Sequence, residues 1–150
     1  MNIIENELCV KENGFNFGDD RDLVLLNIIE VIDCFSSDKN TVITKEVLFS
    51  GYWFISQFYF KDGGLQLIRL SPVFRKYYTP EEFRKRSSTA CLKLAGDIIK
   101  ELENTCEPVN CADENTLSGE TAREYTFLSG EINIELFFNE SFDEFIIELA

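Results

Sequence analysis

Between residues 47 and 73 the chain reads VLFSGYWFISQFYFKDGGLQLIRLSPV, and this stretch limits the fold more than any other. Leu48, Phe49, Tyr52, Trp53, Phe54, Ile55, Phe58, Tyr59 and Phe60 crowd large apolar side chains into a segment suited to a pleated, packed surface. Lys61-Asp62-Gly63-Gly64 supplies positive-φ turn chemistry and residues 65–70 resume the strand pattern, so the stretch predicts a hairpin. With Asp62-Gly63 as a two-residue turn, Phe60 faces Leu65, Phe58 faces Leu67 and Ile55 faces Leu70. One face then carries Phe54, Phe58, Phe60, Leu65 and Leu67. The other carries Trp53, Ile55, Tyr59, Ile68 and Leu70, diluted by Gln57 and Gln66. A sheet this apolar on both sides implies cover, or a partner, on the second face.

Around this hairpin the chain alternates. Residues 1–18 are weakly patterned, with a short strand or irregular arm over 3–10. An apolar helix is predicted over 19–36, capped by Asp19 and buried on most sides except a stripe at Asn27, Glu30 and Asp33. A strand over 41–50 precedes the hairpin, broken from it by Ser50-Gly51. Thr79-Pro80-Glu81-Glu82 spells a helix start: N-cap, proline at the first helical position, and a reciprocal capping glutamate. That helix runs over 80–104, with Phe83, Ser87, Ala90, Cys91, Leu94, Ala95, Ile98 and Leu102 on its inner face. Residues 106–120 read as a long polar loop.

The last thirty residues alternate most regularly. With Ser129-Gly130 as a turn, Phe127 pairs with Ile132 and Tyr125 with Ile134. With Glu140-Ser141 as the next turn, Leu136 pairs with Phe145, Ile134 with Ile147 and Ile132 with Leu149. The result is a half-buried antiparallel meander. The whole therefore reads as a single α+β domain over residues 1–150, in αβββαβββ order, with a curved antiparallel sheet packed against two main helices.

Composition removes whole classes of function. The chain has no histidine, which excludes Ser-His-Asp and Cys-His nucleophile systems and the commonest transition-metal ligand. Cys9, Cys34, Cys91, Cys106 and Cys111 form no CxxC pair, so neither a disulfide framework nor a zinc knuckle is expected, and free thiols are the default. Cys34 and Cys91 fall in helical stretches as small core residues, while Cys106 and Cys111 are spaced so that a loop bridge is conceivable. No phosphate-binding glycine motif is present. The sequence calls for no catalytic residue, metal or cofactor, and the reading is a non-enzyme. It contains neither an apolar run of about 18 residues nor a secretory signal, which points to a cytoplasmic protein without membrane contact.

The net charge is −13 and unevenly spread. Residues 51–100 hold nine basic and four acidic side chains, whereas residues 101–150 hold only Arg123 against thirteen acids. Such a field argues against direct nucleic-acid binding and for a basic partner. The outer face of the final meander is the first candidate surface: Glu124, Glu131, Glu135, Glu144 and Glu148 surround the apolar Phe137 and Ile146. Like charges on neighbouring strands repel unless a ligand matches them, and apolar anchors ringed by charge have the composition of an interface core with a steering rim. The bland account of the same residues is a solvated face. A second cluster, Arg69, Arg75, Lys76, Arg84, Lys85 and Arg86 with Tyr77 and Tyr78, could stack single-stranded nucleic acid, or could pair internally with the acidic C-terminal third.

Small size, acidity, a Phe/Asn/Glu-rich composition and the αβββαβββ order together resemble the immunity proteins of contact-dependent growth inhibition systems. That resemblance implies an antitoxin that occludes a basic toxin domain, of nuclease type, by equimolar binding. The chain is also similar in length, acidity and α-βββ-α-ββ order to type III secretion chaperones, which would imply a homodimer wrapping an effector segment. It departs from them by ending in a strand. An enzyme using paired carboxylates or magnesium is the third class, and would need a concave pocket with converging carboxylates.

Overall fold

The computed structural model describes residues 1–28, 34–115, 121–139 and 144–150. They form strands β1 (Asn2–Ile4) and β2 (Glu7–Cys9), helix α1 (Arg21–Ile28), and strands β3 (Cys34–Ser37), β4 (Thr41–Phe49), β5 (Tyr52–Lys61) and β6 (Gly64–Pro72). A 3₁₀ turn (Phe74–Lys76) and helix α2 (Pro80–Thr105) follow, then β7 (Glu107–Asn115), β8 (Thr121–Ser129), β9 (Ile132–Asn139) and β10 (Glu144–Leu149). One open sheet runs β1-β2-β4-β5-β6-β10-β9-β8-β7, with β3 also paired to β4. The sheet is mixed, because β2 meets β4 in parallel at Glu7 and Leu48 while the other pairings are antiparallel. The α+β class agrees with the sequence.

Turn chemistry closes the hairpins. Asp62 and Gly63 take φ of 54° and 87°, and Ser50 and Gly51 take 48° and 80°, the pair of positive values that a two-residue turn matched to strand twist requires. Phe60 faces Leu65 as the sequence predicts, but a bulge then leaves Gln66 without a partner, so that Tyr59 meets Leu67 and Phe58 meets Ile68. A one-residue slip exchanges faces. Ile68 and Leu70 therefore join Phe54, Phe58, Phe60 and Leu65 inside, and Leu67 turns outward with Trp53, Ile55 and Tyr59.

Other expectations need correction. The αβββαβββ order misses the β1–β2 hairpin, β3 and β7. Asp20, not Asp19, caps α1, its Oδ1 accepting the Leu23 N–H at 2.9 Å. Helix α1 ends at Ile28, and Cys34, predicted to be helical, lies on a strand paired with β4. Residues 29–33, where the rest of the predicted helix falls, are outside the described residues. An apolar run rich in isoleucine and valine does not separate helix from strand by periodicity alone. Nor is α1 buried on most sides: Val24 and Ile28 are buried, but Leu26 is 68% exposed and Leu23 41%. The predicted polar loop is largely β7, paired along β8 from Glu107–Leu128 to Asn115–Thr121, an edge strand whose exposed Glu107 and Pro108 suit a sheet margin. Residues 116–120 lie outside the described residues.

Helix α2 follows its start signal. The Thr79 side chain accepts from the Glu82 N–H at 3.2 Å while Glu82 Oε2 accepts the Thr79 N–H at 2.8 Å. Ala90, Cys91, Leu94, Ala95, Ile98 and Leu102 are buried as predicted, whereas the Phe83 and Ser87 side chains are outside the described set. These α2 residues, with Val24 and Ile28 of α1, share one core with the inward residues of β4, β5, β6, β8, β9 and β10. The weakly patterned arm contributes to it as well. Met1, Ile3, Leu8 and Phe15 are buried, and the Phe15 ring meets Phe58 edge-on at 5.9 Å between centroids. Both helices thus cover the same face, and among the described residues no helix lies on the other. No described helix is long and apolar enough to cross a membrane.

Candidate interaction surface

The helix-free face is assembled by strand alternation. In the meander the turn is Gly130–Glu131 rather than Ser129–Gly130, so Phe127 pairs with Ile134 and Tyr125 with Leu136. Gly130 takes the positive φ, 65°, at the first turn position. The β9–β10 register moves in the same way, with Leu136 opposite Ile147 and Ile134 opposite Leu149. Each shift is by two residues, so inward and outward faces are unchanged while cross-strand neighbours are not.

The new neighbours matter. Glu135 on β9 lies directly opposite Glu148 on β10, and Glu148 in turn opposite Arg69 on β6. Side chains so placed have Cβ atoms about 4.5–5.5 Å apart. Beside this line runs a second one, Glu124, Phe137 and Ile146 across β8, β9 and β10. All of these side chains are half-buried. The Glu135 carboxyl is held above its ordinary range, first by burial and then by the negative charges of Glu124 and Glu148.

Glu148 is partly answered from within the molecule. Arg69 donates to its Oε1 through Nε at 2.8 Å and Nη2 at 2.6 Å, and stacks its guanidinium 5.5 Å from the Tyr59 ring centre. The hydrogen bond to Glu148 is the main reason the Arg69 pKa rises. Further along the face, Glu46 binds Arg75 and, at 2.7 Å, Lys76, which keep its carboxyl below the usual range, with Lys76 the larger influence. Lys76 also sits 4.8 Å over the Trp53 ring, and Tyr77 Oη accepts the Trp53 N–H at 2.6 Å.

Of the seven residues named from sequence, Glu124, Glu135, Phe137, Ile146 and Glu148 come together here. Glu131 is exposed in the β8–β9 turn, beyond the strand face. Glu144 opens β10 opposite Asn139, and its side chain is outside the described set. The basic cluster disperses. Arg69, Arg75 and Lys76 pair internally, Lys85 pairs with Glu81 at 2.6 Å, Arg84 donates to the Pro80 carbonyl at 3.3 Å, and the Arg86 side chain is outside the described set. Sequence reasoning missed Arg69, Ile55 and Tyr59 as members of the same face, because a non-sequential pairing of β6 with β10 unites the two halves. Among the described residues no group of three or more Cys, Asp and Glu side chains could hold a metal ion. Comparison of the chain with protein-family models, curated proteins and solved structures finds no match.

Proposed function

We propose that the chain is a cytoplasmic inhibitor that docks a basic protein domain on the helix-free face of its sheet. It acts as the immunity proteins of growth-inhibition systems do, by occluding a nuclease-type toxin. One observation carries this reading. Glu124, Glu135 and Glu148 crowd around half-buried Phe137 and Ile146 on a sheet face that no helix covers among the described residues, and Arg69 pairs with Glu148 of the three. Burial and then the charges of Glu124 and Glu148 hold the Glu135 pKa up; cations supplied by a partner would relieve the repulsive share, while Phe137 and Ile146 supply desolvated anchors. Charge of one sign on such a face raises association rates by roughly 10–1000-fold at low salt.

The test is stopped-flow association with a basic, nuclease-type toxin domain. Glu124→Lys with Glu135→Lys should slow association and flatten its dependence on salt, and Phe137→Ala should speed dissociation. An equimolar complex whose rates ignore all three substitutions would place binding elsewhere. The rival reading, a homodimeric secretion chaperone, draws on Trp53, Ile55, Tyr59 and Leu67, which extend the apolar strip of this face over β5 and β6. A stable dimer at micromolar concentration would favour it over the inhibitor.

A further inference from the structure

A cleft of about 720 Å³ opens between β2, the β4–β5 turn, the C-terminal end of α2 and the start of β9. Its floor includes Leu8, Phe49 and Ile134, which belong to the core, so it lies on the side of the sheet that carries the helices. The docking surface proposed above is on the other side. The volume falls within the 300–1,000 Å³ or so that small-molecule sites occupy.

From this cleft we infer a binding site for a small organic cation with an aromatic or aliphatic body. The floor supplies the apolar contact: Leu8, Phe49 and Ile134 are buried, and Val10 and Tyr52 are half-buried beside them. The rim supplies the charge. Glu7, Glu12 and Glu101 stand exposed around the mouth, and among the described residues Lys11 is the one basic side chain lining the cleft. Helix α2 ends here with no basic residue in its last turn, so its carbonyl end adds partial negative charge to that of the carboxylates.

Two groups beside the cleft lie close enough to these carboxylates to respond to them. The Tyr52 hydroxyl is pushed up by burial and then by Asp97 and Glu101, and the Cys9 thiol by burial and then by Glu7 and Glu12. An anionic ligand would meet the same repulsion. A cation would gain from the carboxylates and from the Tyr52 ring, and an apolar body would cover the floor. The described carboxylates and thiols are not arranged as a metal site, which favours an organic cation over a metal ion.

Cys9 and Cys106 line the cleft as half-buried free thiols and serve as built-in reporters, with fully buried Cys91 as internal reference. The probes are tryptamine and indole-3-propionate, which share an aromatic body and differ in the sign of their charge. Titration calorimetry and peptide-resolved alkylation by N-ethylmaleimide are read on the intact chain. Tryptamine should bind saturably and slow labelling of both Cys9 and Cys106, while indole-3-propionate binds at least about tenfold more weakly. Glu12→Gln with Glu101→Gln, both exposed, should weaken tryptamine severalfold without changing the melting temperature appreciably. Equal affinity for the two probes, binding that never saturates, or saturable binding that leaves both thiols equally reactive would each overturn the assignment.

Discussion

Glu135 carries a charge that its surroundings oppose, and pH exposes the cost. Its folded pKa lies above that of the unfolded chain, so the folded protein binds more protons across that interval and loses stability as pH rises through it. Below the ordinary glutamate range, about 4.3, both states are protonated and the cost vanishes. Glu135→Gln should therefore stabilise by about 0.2–1 kcal/mol near neutrality, with the gain shrinking as pH falls. Urea denaturation of parent and variant across that range is the check, and a gain that ignores pH would mean packing, not charge. A second residue-scale case lies inside the sheet. The β4–β5 ladder passes from Ile43–Gln57 to Glu46–Ile55, which leaves Ser56 beside a bulge. The Thr44 Oγ1 takes over, accepting the Ser56 N–H at 3.2 Å and standing 2.5 Å from Ser56 Oγ, with both residues fully buried. Thr44→Val leaves that N–H and hydroxyl stranded and should cost about 1–3 kcal/mol. Ser56→Ala should cost nearer about 1 kcal/mol, because Thr44 still donates to the Lys45 carbonyl at 2.9 Å. Chemical denaturation that ranks the two the other way would refute this account of the bulge.

At the scale of elements, the start of α2 rests on contacts within four residues of each other. Thr79→Ala removes one half of the reciprocal cap and should lower stability by about 0.5–2 kcal/mol, measured as a shift in urea midpoint with unchanged slope. The same locality explains what the sequence disclosed. Thr79, Pro80 and Glu82 mark a helix start in any context, and Ser50-Gly51 and Asp62-Gly63 mark turns, because the needed φ values are set by those residues themselves. Outward and inward faces of β8–β10 were legible for a related reason: a two-residue shift of register cannot exchange them. Which side chains sit opposite one another was not legible, since a one-position move of a turn changes every partner. Strand β7 was hidden because its polar residues gain their structure from pairing with β8, which no local signal encodes. The candidate face was thus half legible. Its acids and Phe137 and Ile146 stood out by alternation, but Arg69 joins them through pairing across some eighty residues of chain.

For the whole molecule the excess of acid sets a balance that salt can tip. The chain has 27 acidic and 14 basic side chains, and their mutual repulsion opposes the folded state. Working the other way are ion pairs such as Arg69–Glu148 and Lys76–Glu46, partly exposed and worth about 0–1 kcal/mol each. Salt weakens both, and its reach grows as the screening length shrinks from about 30 Å at 0.01 M to about 10 Å at 0.1 M. Repulsion acts among all the unmatched acids over that distance, whereas each pair is short-range, so repulsion is the larger loss. The melting temperature of the free protein should therefore rise on going from low to moderate sodium chloride, by about 2–4 °C for each kcal/mol relieved. A complex held by steering charge should behave oppositely, dissociating as salt increases. Calorimetry of the free chain and of its complex over one salt series tests both signs together. A free protein that melts lower with salt would show that its internal ion pairs outweigh the repulsion, and would remove the electrostatic motive for a basic partner.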